Sequence, residues 1–284
     1  MPFHPSQQIP SEHEALFSRA ILDSLLTQPL MLGDLPNSST FSLQQTSLPT
    51  PTPSLKFNQK LGHLYEDALA ELLQASETYK LITTNLQLIT PEKQTLGELD
   101  FILWNKKNHR CIHLELAVKF YLIHSHNDQL HYPGPDARDD YQRKLERLTS
   151  HQLTLTQQDK TRALMSQFTD MGPIKVQHLV HGIFFAHIST PNSPLPPHAS
   201  PQVRRRPWLY CHELKKVQSS SEPIKIIPKQ LWLCEITPEL FDALVTVSFD
   251  ELSDLAQQRC TMWTNSPGST PHFLVPDTWP QHRK

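Results

Sequence analysis

LGELDFILWNKKNHRCIHLELAVKFYL, residues 96–122, is the stretch that decides the fold. Leu96 to Trp104 reads as one strand and His109 to Leu122 as the next, with Asn105-Lys106-Lys107-Asn108 as a polar turn between them. Residues two apart on a strand share a face. Leu99, Phe101 and Leu103 make an apolar face of the first strand, with Glu98, Asp100 and Ile102 opposite. In the second strand Leu114, Leu116 and Val118 are apolar on one side, while His113, Glu115, Ala117 and Lys119 lie on the other. So short a turn makes the strands neighbours, and Asp100 and Glu115 are expected side by side. Two carboxylates in a half-buried sheet repel each other and resist ionisation unless a cation offsets them. Hard oxygen donors suit Mg²⁺ or Mn²⁺. The same alternation also describes a half-exposed antiparallel strand whose acids face water or pair with Arg110. Alternation alone satisfies both readings.

Outward from this hairpin the pattern alternates between helix and strand. Leu61 to Ala75 (LGHLYEDALAELLQA) places Leu61, Leu64, Tyr65, Ala68, Leu69, Leu72 and Leu73 on one helical face. Lys80 to Thr90 reads as a strand through Ile82, Thr83, Thr84 and Ile89. A Gly-Pro turn falls within His131 to Asp136, Ala137 to Leu153 reads as an amphipathic helix, and His178 to Ile188 as a fourth strand. The order is helix, three strands, helix, strand. Further upstream, Ser11 with Glu14 is a capping box that predicts a helix from about Glu12, ending before Gly33. Downstream, Arg206–Glu213, Ile224–Pro228 and Gln230–Ile236 read as short strands and Pro238–Ala256 as a helix broken near Ser248, with the last twenty or so residues irregular. The expected division is an N-terminal helical segment over 1–35, a Pro/Ser/Thr-rich linker over 36–56, the core over 57–190, and a C-terminal extension over 191–284 that completes or caps the same domain.

GELD, a short turn and HLELAVK, preceded by an acid-bearing helix, resemble the PD-(D/E)XK nuclease superfamily. More closely, LGHLYE, GELDFIL, HLELAVKFYL and GPDARDDYQRKLERLTSHQL, with RRRPWL more loosely, are similar to a bacterial family described as domain of unknown function 1853. The resemblance implies an α/β (α+β) fold with a restriction-endonuclease-like αβββαβ core, its mixed central sheet flanked by helices. It also implies metal-dependent phosphodiester hydrolysis of DNA or RNA. Asp100 matches the superfamily's first acid, Glu115 its second and Glu66 the helix acid, so these three would hold Mg²⁺ or Mn²⁺. The motif should continue Glu-x-Lys, yet Ala117 stands in the lysine's place. Lys119 lies on the same face about 13 Å further along the strand, and Lys144 on the following helix is the other candidate. Arg143, Lys144 and Arg147 fit phosphate binding, although charges so placed are more often a solvated helix face. The run Arg204-Arg205-Arg206 before Pro207-Trp208 is another candidate for positioning a nucleic-acid backbone, or equally a surface loop after a Pro/Ser-rich insert. His113, on the acidic face, is more often hydrogen-bonded structure than a ligand. His151 and Gln152 are expected to project toward the same face as supporting groups. Two further readings of the fold stay open: a nucleic-acid-binding module that has lost turnover, and a protein-interaction scaffold.

Composition bounds these readings. The 284 residues suffice for one large domain. With 25 Pro and only 7 Gly, and neither GxGxxG nor GxxxxGK[ST], a nucleotide-binding Gly-rich loop loses its support. The formal net charge is −2, so any contact with nucleic acid must come from a local patch rather than bulk charge. The 16 His and four Cys show no zinc-ligand spacing. No basic-then-apolar leader and no apolar run of membrane length is present, which predicts a soluble cytoplasmic protein without a membrane partner.

Overall fold

The computed structural model describes residues 10–43, 45–169, 173–217 and 223–280. After a single 3₁₀ turn at Ser11–His13, α1 spans Glu14–Thr27. Then follow β1 (Ser39–Thr40), α2 (Leu61–Gln74), β2 (Tyr79–Ile89), β3 (Thr95–Asn105), β4 (Arg110–His126), β5 (Gln129–His131) and α3 (Tyr141–Ser150). Next come α4 (Asp159–Thr169), β6 (Lys175–His187), β7 (Arg204–Tyr210), β8 (Ile224–Ile227), α5 (Pro238–Ala243) and β9 (Val245–Val247). The last described elements are α6 (Phe249–Gln258), β10 (Thr261–Thr264) and β11 (His272–Val275). The protein is a mixed α/β fold in which helices flank one large mixed sheet, ordered β2-β3-β4-β6-β7-β11-β10-β8-β9, with β1 beside β6 and β5 beside β4.

The first half of the sheet follows from the sequence periodicity. β2, β3 and β4 are antiparallel neighbours. The α3–α4 segment then crosses over, so β6 returns parallel to β4, from Ile112 opposite Lys175 to Ile123 opposite Ala186. Such a parallel step needs a long crossover, and a helical segment supplies it. Gly182 faces Lys119 in this ladder, and a Cβ there would collide with the Lys119 carbonyl and the Met31 methyl, so only glycine lets the chain from α1 lie so close.

Side chains alternate between two cores. Phe101, Leu103, Ile112, Leu114, Ile183 and Phe185 pack with Phe17, Ile21 and Leu22 of α1 and Leu64, Leu69 and Leu72 of α2. Opposite them, Tyr121, Ile123, Val180 and Phe184 pack with Tyr141 and Leu148 of α3. Leu99 does not share the face of Phe101 and Leu103 as alternation predicts. It joins Ile102 and Cys111 in a cluster closed by Leu155, Met165 and Phe168, because α4 and the 3₁₀ turns at Gln152–Gln157 cover what reads as a solvent side.

Several sequence expectations need correction. Of the N-terminal segment, residues 1–9 lie outside the described residues, and no side-chain cap holds α1: Ser11 and Glu14 form no capping box. The stretch over 36–56 is no free linker, since Ser39 and Thr40 pair with Gln177 and His178 while Phe41, Leu43 and Leu55 are buried in the α1–α2 core. The helix expected from Ala137 begins only at Tyr141. Gln230–Ile236 is a 3₁₀ turn at Lys229–Leu231 and a loop rather than a strand. Pro238–Ala256 divides into α5, β9 and α6, where Ser248 caps α6 with Glu251 in a capping box. The supposedly irregular tail contributes β11, a central strand whose four residues His272–Val275 were too few to show a period; residues 281–284 lie outside the described residues.

Candidate active site at the end of the β3–β4 ladder

β3 and β4 pair from Asn105 opposite Arg110 to Phe101 opposite Leu114, and there the ladder ends. Asp100 and Glu115 are next in line. The Leu116 N–H, which would have continued the ladder, donates instead to Asp100 Oδ2 at 2.9 Å. The strands thus open at the two acids. Burial, then the Glu115 charge, pushes the Asp100 carboxyl up to about 8; Glu66 adds to the rise, while the Leu116 N–H and Lys144 oppose it.

Glu115 is buried, and both its oxygens are engaged. His113 Nε2 lies 2.8 Å from Oε1, and the Gln152 amide donates to Oε2 at 2.6 Å. Gln152 in turn accepts from Lys144 Nζ at 2.8 Å. A hydrogen-bonded line therefore runs from His113 through Glu115 and Gln152 to Lys144. Thr156 Oγ1 lies 3.5 Å from the other ring nitrogen of His113. Lys144 is half-buried, and burial, with the nearby Lys119 charge, lowers its pKa.

Glu66 sits one turn into α2, 19 % exposed, with His63 Nδ1 3.1 Å from Oε2. Its other oxygen lies beside Gly62, where an added Cβ would stand 3.7 Å from it. Lys119 turns away from the acids and bonds Asp139 Oδ2 at 2.6 Å. The lysine connected to Glu115 is thus Lys144, through Gln152, and not Lys119. Arg143 and Arg147 are exposed on α3. His151 is exposed too and lies over Gly97, where an added Cβ would stand 3.5 Å from its Nε2.

Arg204, Arg205 and Arg206 are not a surface loop. They form β7, and backbone carbonyls absorb their guanidinium groups. Arg206, 5 % exposed, donates to the Trp232 and Cys234 carbonyls, Arg204 to the Leu233 carbonyl and the Glu235 carboxylate, and Arg205 to the Pro191 and Ser193 carbonyls.

Residues Leu116–Phe120 form one side of a cleft of about 780 Å³ that Gly62 and Lys144 border at the acid end. The three acids stand behind this end rather than lining the cleft. Its other side comes from Ile226–Lys229, Arg259–Met262 and Trp279. Lys229, Arg259 and Asp139 were not singled out from the sequence. Asp139 lies in the noticed GPDARDD run, but nothing in the spacing around Lys229 or Arg259 marks them. Asp100 and Glu115 supply hard oxygen donors, and Glu66 lies near enough for its charge to be felt at Asp100. Even so, among the described residues no three His, Cys, Asp or Glu side chains stand in a metal-ligating arrangement as placed. A divalent ion fits the charge of the pair, and each Glu115 oxygen, engaged in one hydrogen bond, keeps a second lone pair.

A family model described as "Domain of unknown function (DUF1853)" matches residues 8–272. No curated protein and no solved structure matches the chain.

Proposed function

We propose, from the premise that the chain belongs to the DUF1853 family, that it is a metal-dependent nuclease of PD-(D/E)XK type, cleaving phosphodiester bonds of DNA or RNA. One observation carries the reading. Asp100 and Glu115 meet where the β3–β4 ladder opens, and Asp100 is held up to about 8, with its largest causes burial and the neighbouring acid. Such a pair gains from a divalent cation, and perturbed carboxylates of this kind concentrate at functional sites. The connectivity agrees with a restriction-endonuclease-like core: α2, three antiparallel strands, a helical crossover, and β6 parallel to β4.

In this reading Asp100, Glu115 and Glu66 would hold Mg²⁺ or Mn²⁺, which would supply an activated water and offset charge on the scissile phosphate. Lys144, tied to Glu115 through Gln152, would take the part of the missing motif lysine and stabilise developing negative charge. His113 and Gln152 orient Glu115. Arg143 and Arg147, exposed on the same helix, are placed to meet flanking phosphates.

A second reading has its own support. Ala117 at the motif position, Lys119 tied to Asp139 and Glu115 engaged at both oxygens favour a module that binds nucleic acid without turnover. Calorimetric titration of Mn²⁺ into wild type and Asp100→Asn, paired with cleavage assays on DNA and RNA, separates the two. The nuclease reading expects ion binding and cleavage in wild type and the loss of both in the variant. Nucleic-acid binding without ion binding or cleavage would establish the second reading. Cleavage unaffected by Asp100→Asn would remove the acid pair from the chemistry.

A further inference from the structure

The β4–β5 hairpin carries three histidines on one face. Its loop is the pair Asn127 and Asp128, both at positive φ (50° and 58°), a tight turn whose twist matches that of the strands it joins. The turn fixes the register: His124 stands opposite His131, and His126 opposite Gln129. His124 and His126, two apart on β4, share a face, and the residue directly across from His124 shares it too. The third histidine comes from the neighbouring strand, so spacing along the chain does not mark the set.

The rings converge. The centroids of His124 and His126 are 6.3 Å apart, and those of His126 and His131 6.4 Å. Two imidazoles held on one ion by bonds of roughly 2.0–2.1 Å have centroids about 5 Å apart. As placed the rings do not ligate an ion. Closing each pair takes a shift of about 1 Å, which side-chain rotation supplies. His126 and His131 are exposed and can make that rotation. His124 is the fixed member: half-buried, it packs T-shaped on Trp279 with centroids 5.3 Å apart, and 6.3 Å from Trp208.

Nearby histidines are already committed. His187 lies 2.6 Å from Ser189 Oγ through Nδ1 and 2.8 Å from Glu213 Oε2 through Nε2, and His212 Nδ1 lies 2.8 Å from Asp277 Oδ1. Among the described residues, none hydrogen-bonds a ring nitrogen of His124, His126 or His131. Neutral imidazoles suit Zn²⁺ and its neighbours, whereas Mg²⁺ and Mn²⁺ favour oxygen.

We infer that His124, His126 and His131 form a binding site for a divalent transition-metal ion of the Zn²⁺ class, with one position of a tetrahedral shell left to water. Such an ion would cross-link the two strands of the hairpin. The inference is independent of the nuclease reading, whose acids call for a hard ion. Its test is calorimetric titration of Zn²⁺ at neutral pH, in excess Mg²⁺ to occupy hard-oxygen sites. The proteins are wild type, His126→Ala, His131→Ala and His212→Ala. All three replaced side chains are exposed, so the variants keep the core, and His212 with Asp277 is the control for a rival site. One Zn²⁺ per chain is expected in wild type and in His212→Ala. Each hairpin variant should weaken binding by about tenfold or more, since even outer-shell partners of a metal are worth that much. No Zn²⁺ binding in wild type, or binding that both hairpin variants retain, would overturn the inference and leave the reading of the acid pair standing. Loss in His212→Ala alone would assign the ion to that pair and overturn it as well.

Discussion

At the scale of single residues, the chain concentrates unfavourable electrostatics in two places and resolves them differently. At the acid pair, Asp100 is raised and Glu115 is satisfied by His113 and Gln152. At His181 the cost stays unpaid: both ring nitrogens lack a hydrogen-bond partner. Burial pushes the imidazole down to about 4, with the Pro29 carbonyl near enough to offset part of the cost though outside hydrogen-bond geometry. The folded pKa thus lies below the unfolded value of about 6.5. As pH falls below about 6.5 the unfolded chain takes up this proton first, so stability is full above that pH and declines toward pH 4. The loss from this one group amounts to at most roughly 3 kcal/mol. Urea midpoints measured from pH 7 to pH 4 should fall in wild type and fall less in His181→Leu. Equal slopes in the two proteins would mean that another group carries the acid sensitivity. The adjacency of Asp100 and Glu115 was legible from the short turn and the strand alternation, which did not by themselves separate a site from a polar strand face. The Lys144 link to Glu115 was not, since it depends on where α3 crosses the sheet.

At the scale of elements, α3 shows how short polar side chains set a boundary that periodicity misses. Hydrophobic spacing extends back to Ala137, but Asp136 Oδ1 accepts the backbone N–H groups of Arg138 and Asp139 at 3.1 and 3.3 Å, holding the chain in a turn. Asp140 then accepts from Gln142 N–H and Arg143 N–H at 3.0 and 3.3 Å and caps the helix. Asp140→Ala should cost about 1 kcal/mol, read as a lower denaturant midpoint. Because Lys144 sits in the first turn after this cap, the nuclease reading expects the variant also to lose cleavage activity beyond what instability explains at a temperature where it stays folded. Wild-type stability in Asp140→Ala would show that tertiary packing of Tyr141 and Leu148 alone holds the helix. β7 teaches the converse. Three consecutive arginines read as a surface feature, yet the strand is internal, because carbonyls of residues 232–234 and 191–193 take up the guanidinium groups.

At the scale of the whole molecule, the C-terminal third is continuous with the α2-to-β6 half. β7 pairs β6 on one side and β11 on the other, both in parallel. Phe185 stacks on Phe273 at 4.4 Å, and Trp232 meets Phe120 at 5.3 Å and Phe273 at 4.9 Å. Residues 57–190 alone would expose these surfaces along an unpaired β6 edge and lose the α1 cover as well. The full chain is expected to unfold in one transition, coincident by far-ultraviolet circular dichroism and tryptophan fluorescence, and the 57–190 fragment to show no cooperative transition. Two separated transitions in the full chain would mean that the C-terminal strands form an independent unit. Among the described residues no helix is long and apolar enough to cross a membrane.

The sequence by itself determined the α2-to-β6 order, the antiparallel β3–β4 hairpin and the adjacency of Asp100 and Glu115. All three rest on local period and short connections, which a single strand or helix expresses in its own residues. Only the tertiary structure decided that Lys144 rather than Lys119 joins Glu115 through Gln152, that the arginine run lies on an internal strand with Arg206 buried and Arg205 exposed, and that Lys229 and Arg259 line the same cleft as Lys144. These depend on contacts between segments far apart in the chain. The partner that satisfies each charge comes from another element, and no spacing within one element records it.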